Sequence, residues 1–168
     1  MKISGNTISN LTTGQIIYTI SSNSTSSYTG SSSQLSLVHA WTGSTIGQAR
    51  RHTLSSNVIT VNGLSSKLKH DDASFSERWA YQPTWTNGAV KWYFKNPRKS
   101  ELRLVDGKRG GREILTVKGD EVIFPDQSLR SEQVGELLLA VVLLREDLKE
   151  GKEAEGEVAQ AVLEAVLA

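Results

Sequence analysis

Leu137-Leu138-Leu139-Ala140-Val141-Val142-Leu143-Leu144, set between Gly135-Glu136 and Arg145-Glu146-Asp147, is the longest purely apolar run in the chain. Eight residues make more than two helical turns, so a helix here is apolar on every side rather than along one stripe. A short apolar run also fits a central strand. The leucine content and the continuation Arg145-Glu146-Asp147-Leu148-Lys149 favour a helix over 132–148. Ser131 suits its cap, and Glu132 and Glu136 suit the positive end of its dipole. The run is far short of the ~20 residues that span a bilayer. Such a helix has to be surrounded by protein. Its burial contributes roughly 12–20 kcal/mol gross, at about 1.5–3 kcal/mol per large side chain before entropy costs.

Working outward, the preceding residues read as short strands and turns. Gln15 to Ile20, Leu35 to Trp41, Thr45 to Arg51, Val58 to Val61 and Leu64 to Leu68 carry β-branched or alternating patterns. Asn62-Gly63 accepts the positive φ of a type I′ turn between the last two. Phe75 to Tyr81, Val90 to Lys95, Glu101 to Val105, Arg112 to Lys118 and Glu121 to Phe124 continue the series. Asn96-Pro97 is expected to stop the strand before it. Ser21 to Gln34, almost all Ser, Thr, Asn and Gly, has too little to bury and reads as a mobile loop. About ten closely spaced strands suggest a sandwich or a barrel. A barrel whose bore is too wide for its wall side chains to fill is the natural container for an all-round apolar helix. The expected fold is therefore mainly β: a closed or nearly closed antiparallel barrel of about 10–12 strands around a C-terminal hydrophobic helix, plus a short terminal helix.

With 168 residues the chain has room for one sizeable core. Residues 1–149 form the expected barrel domain. Glu150 to Glu157 reads as an acidic, solvated linker, and Val158 to Ala168 as a short apolar helical tail that docks on the barrel or on a second subunit as a homo-oligomer contact. From Met1 to Lys118 there are 15 Lys+Arg against 6 Asp+Glu, a net of +9; from Gly119 to Ala168 there are 4 against 12, a net of −8. Either the basic part has an anionic partner, or the acidic tail compensates it within one molecule. Cysteine is absent, which removes disulfides and thiolate chemistry and leans towards a reducing compartment. No apolar leader follows Met1. These features point to an intracellular protein, cytoplasmic or at the membrane periphery.

The motifs that carry chemistry are few. His70-Asp71-Asp72 lacks a second histidine at metal-ligand spacing, and His39 sits in an alternating strand beside Trp41. There is no nucleophile elbow, and Gly107-Lys108-Arg109-Gly110-Gly111-Arg112 lacks the spacing and ending of a P-loop. Trp92 and Tyr93 between Lys91 and Lys95 have the texture of a single-strand stacking platform, but no accompanying aromatic motif supports nucleic-acid binding. No cofactor or metal is expected.

The aromatic-basic strand Lys91-Trp92-Tyr93-Phe94-Lys95, then Glu101-Leu102-Arg103-Leu104-Val105-Asp106, a hairpin and the final apolar helix together resemble the tubby C-terminal-like superfamily. That superfamily includes tubby, LURP-one-related and phospholipid scramblase-like proteins, and the texture is most similar to its fungal tubby-like members. The resemblance covers roughly residues 8–149 and is one of order rather than of any short motif. It implies a closed barrel of about twelve strands threaded by the helix, and lipid or protein binding rather than catalysis. The basic residues Lys95, Arg98, Lys99, Lys108, Arg109 and Arg112 are the candidate ligand contacts, since neighbouring cations attract phosphates. The expected function is a non-enzymatic binding module for an anionic lipid head group, phosphoinositide-like, or for a protein partner. The alternative is an enzyme with a pocket at the barrel end.

Overall fold

The structure, a computed structural model, describes residues 1–27, 30–52, 57–70, 78–86, 91–98, 101–107 and 111–167. Twelve antiparallel strands close into a barrel: β1 (Lys2–Ser4), β2 (Thr7–Ser9), β3 (Ile16–Ser27), β4 (Gly30–His39), β5 (Thr45–His52), β6 (Asn57–Val61), β7 (Leu64–His70), β8 (Arg78–Tyr81), β9 (Trp92–Arg98), β10 (Glu101–Asp106), β11 (Glu113–Lys118) and β12 (Glu121–Ile123). Each strand pairs with its neighbours in sequence, and β1 closes the ring on β12 through Lys2 opposite Glu121. A single helix, α1 (Ser131–Leu167), follows the last strand.

Gly135 to Leu144 are buried all round the helix. They form one cluster with inward-facing side chains from the whole circumference, including Ile8 on β2, Leu37 on β4, Ile59 on β6, Phe94 on β9 and Val122 on β12. The helix therefore fills the bore. Outward positions on β5 to β7, such as Gln48, Arg50, Thr60, Lys67 and Lys69, are polar, so this wall is the reverse of the apolar outer band of a membrane-spanning barrel. Two glycines let backbone and helix approach. A Cβ at Gly47 would lie 2.6 Å from Val61 Cγ2 and 2.9 Å from Leu139 Cδ1, and one at Gly135 would lie 2.4 Å from Ile46 Cγ2.

Several sequence expectations need correction. Residues 21–34 are not a loop: apart from residues 28–29, which lie outside the described residues, they belong to β3 and β4. Those strands pair without a shift from Tyr18–His39 to Ser27–Gly30. Backbone pairing, together with β5 along the second edge of β4, forms these strands without a run of apolar side chains. Asn96-Pro97 does not stop β9; the strand passes through both, and the register shifts there between Glu101 and Arg103, a tolerated place for proline. The short strands β1 and β2, too brief to show a period, complete the count to twelve. The expected linker at 150–157 and separate helix at 158–168 are turns of one helix running to Leu167. Gly151 and Gly156 cost about 1 kcal/mol each relative to alanine, too little to break a stretch otherwise made of good helix formers and free of proline. The cap lies one residue earlier than expected: the Arg130 N–H donates to Gln133 Oε1 at 2.8 Å, half of a capping box, and Ser131 is already helical. Of the remaining expected features, residues 71–77 lie outside the described residues.

Candidate docking rim

Because the strands alternate in direction, the turns β2–β3, β4–β5, β6–β7, β8–β9 and β10–β11 share one end of the barrel, where the chain also enters α1. The exposed large apolar residues among those described are Leu11, Ile16, Trp41, Leu64 and Ile123. All five lie at this entry rim. Leu11 is in the β2–β3 turn, Ile16 opens β3, Trp41 is in the β4–β5 turn, Leu64 opens β7 and Ile123 ends β12.

Local bonding holds these tips in place. Asn10 Oδ1 accepts the N–H groups of Thr12 and Thr13 at 2.8 and 3.1 Å, an Asx turn around Leu11. His39 Nδ1 accepts from the Trp41 and Thr42 N–H groups at 3.3 and 3.4 Å, and its ring meets Tyr18 edge-on. The Trp41 indole N–H donates to the Ile16 carbonyl at 3.3 Å, yet the residue stays 71% exposed. Asn62 and Gly63 take φ of 51° and 75°, the conformation of a type I′ turn, and deliver Leu64 at its exit. Each tip is an apolar residue placed where a polar one would be better solvated.

The same rim anchors the helix. Glu136 is buried, and its carboxylate accepts the Tyr81 hydroxyl at 2.5 Å, the Thr84 N–H at 2.9 Å and the Thr84 hydroxyl. Burial first, then the adjacent carboxylate, pushes the Tyr81 phenol well above its usual value near 10. At the opposite end Asp147 accepts Arg51 Nε at 2.5 Å and Asn57 Nδ2 at 2.8 Å. Residues 136 and 147 are three turns apart, roughly 16 Å along one helix face. Carboxylates thus fix the helix at both mouths.

Of the six candidate cations, the three at described positions are spread along the barrel. Lys95 is half-buried in β9, opposite Arg78 on β8 and Arg103 on β10, and Arg103 itself bonds Glu101 at 2.9 Å. Arg98 ends β9 at the far mouth, opposite Glu101. Arg112 is at the entry rim, where its carbonyl accepts the Asp106 N–H and its guanidinium pairs with Asp126 at 2.5 Å. Hydrogen bonds from Ser128 chiefly hold the Asp126 carboxyl below its usual value, with the Arg112 charge adding to them. Lys99, Lys108 and Arg109 lie outside the described residues. A six-residue strand, about 17 Å long, separates Arg98 from Arg112, a consequence of hairpin direction that closeness in sequence conceals. Lys91 and Arg130 are exposed cations at this rim that are not among the six, and Glu132 offsets them in part. The apolar tips were also missed. Their signal is a large apolar residue within two positions of a turn, and it acquires meaning only when the turns are known to share an end.

A shallow hollow of about 220 Å³ on the outer wall is lined by Gln34, Gln48, Ala49, Arg50, Val58 and Thr60. It offers one cation and amides, but no carboxylate or imidazole for acid–base work. In comparisons with known proteins, the chain matches no family model, no curated protein and no solved structure.

Proposed function

We propose that the protein is a non-enzymatic binding module that seats its helix-entry rim on an anionic lipid surface. The observation that carries this reading is the gathering of Leu11, Ile16, Trp41, Leu64 and Ile123 at one end of a barrel whose β5–β7 wall is polar. Apolar residues at loop tips partition into the head-group boundary, where tryptophan is favoured. Lys91 and Arg130 on the same rim add electrostatic attraction, at about 1 kcal/mol per cation near an anionic surface. The stretch carrying Lys108 and Arg109 joins Gly107 to Gly111 of this rim. Its resemblance to the tubby C-terminal-like superfamily supports the same class of ligand, and a barrel threaded by its last helix is the arrangement that resemblance implies. Arg98 and Lys99, assigned to the ligand by the sequence, are left out of this reading because β9 carries the chain to the other mouth.

The test is vesicle flotation at low and high salt. The wild-type protein should float with vesicles rich in phosphatidylserine or phosphatidylinositol phosphates and not with neutral ones, and release as salt rises. Leu11→Ser with Trp41→Ser should reduce retention at least tenfold, since each apolar side chain contributes on the order of 1.5 kcal/mol or more. Failure of the wild type to float at low salt rejects the lipid and leaves the rim as a protein-docking surface.

A further inference from the structure

The barrel is closed, but β3 is longer than the strand that closes on it. β2 pairs with β3 from Ser9–Ile16 to Thr7–Thr19, and the last bond across this seam runs from the Ile20 N–H to the Asn6 carbonyl at 2.7 Å. β3 then continues for seven residues, Ser21 to Ser27, paired on its other side with β4. Among the described residues no strand pairs with this second edge past Ile20. In an antiparallel ladder a residue points its N–H and its C=O to the same neighbour, and alternate residues serve opposite neighbours. Ile20 serves the β2 side, so Ser22, Ser24 and Ser26 direct their backbone groups to the open edge.

Open edges attract further strands, and proteins guard them with charge, proline or a bulge. None of these is present here. The chain contains no Asp, Glu, Lys, Arg or Pro from Ile3 to Ala49, and β3 keeps an unshifted register with β4 over the whole projecting stretch. We infer that this edge pairs with the same edge of a second copy of the chain, joining two barrels through an antiparallel β3–β3 seam. The occupant is a second copy for a stated reason. A two-fold axis near Ser24 sets Ser22 opposite Ser26 of the other copy and Ser24 opposite itself, and each facing pair exchanges two N–H···O bonds. The sequence Ser21-Ser22-Asn23-Ser24-Thr25-Ser26-Ser27 is uncharged, so identical strands meet without repulsion, and Ser and Thr neighbours hydrogen-bond across strands. The seam is at the far mouth from the apolar rim, so both barrels keep their rims free.

A contact of this size is small for a dimer and should form in a concentration-dependent way. Sedimentation equilibrium on the full chain, from ~5 to ~500 μM, should show the mean mass rising from one chain towards two, as expected for a weak small interface. Ser24→Pro removes an N–H that points off the edge and leaves the β3–β4 ladder intact; it should shift the dissociation constant at least tenfold while circular dichroism and melting temperature stay at wild-type values. Ser24→Lys, which sets two like charges at the axis, should do the same and regain part of the association at high salt. Ser24→Cys carrying a nitroxide label, in a chain otherwise without cysteine, should give a short inter-copy distance at high concentration. A wild type that stays monomeric over the whole range overturns the inference. So does a dimer that both substitutions leave unchanged, which would place the contact elsewhere.

Discussion

The two mouths of the barrel hold the same helix with the same kind of group in opposite surroundings. At the entry mouth Glu136 is buried and meets only neutral donors, a phenol, a hydroxyl and a backbone N–H. At the exit mouth Asp147 and Arg51 form an ion pair with side chains 22% and 17% exposed, and Asn57 completes it. Arg145 reaches Asp120 nearby, with more of both side chains in water. A buried carboxylate with three fitted donors leaves those donors stranded if it is removed, whereas a partly solvated pair is replaced by water. The entry mouth thus holds the helix by the contact that water replaces least well, and it is also the end that carries the apolar tips.

The comparison is broken most completely between the mouths. Leu139→Asp places a charge at a fully buried position, at a cost above about 5 kcal/mol. The expected result is loss of the cooperative thermal transition and of dispersed amide signals in NMR.

Next in size is the entry mouth. Glu136→Ala removes the acceptor of the buried Tyr81 hydroxyl and of the half-buried Thr84 groups, at about 1–3 kcal/mol for each group left unpaired. Urea unfolding should show a loss of roughly 3–5 kcal/mol that 1 M salt leaves unchanged, because the site is screened little. The phenol provides a second check. Its folded pKa lies above its unfolded value near 10, so its contribution is fully present below that value and disappears as pH rises through the folded one. Tyr81→Phe should therefore lower stability at neutral pH yet flatten the decline above pH 10. Tyr18, also raised by burial, keeps part of that decline.

The exit mouth gives the smallest change. Asp147→Ala should cost about 1–2 kcal/mol in dilute buffer, and added salt should shrink the difference between variant and wild type. Equal losses at both mouths, or equal salt responses, would remove the distinction drawn between them.

The hairpin β3–β4 and the helix show why some elements were legible in the sequence and others were not. Leu137 to Leu144 has no polar face, so any folded state has to enclose it, and the enclosing barrel follows from that requirement. Ser21 to Gln34 has nothing to bury, and its strands exist because the backbone of one strand satisfies the backbone of the next. Composition does not record that. The apolar tips fall between these cases: Leu11, Trp41 and Leu64 are visible beside their turns, but only strand direction gathers them on one rim.

By itself, then, the sequence determined the all-round apolar helix, the alternation of most strands, the Asn62-Gly63 turn and the absence of thiol chemistry, since each depends on residues adjacent in the chain. Tertiary structure decided which ends meet. It closed β1 on β12, separated Arg98 from Arg112, joined Glu136 to Tyr81 and Thr84, and left the edge of β3 beyond Ile20 without a partner strand among the described residues. These relations depend on strand direction and relative strand length around a closed ring, quantities set by pairing between residues far apart in the chain and carried by no local pattern.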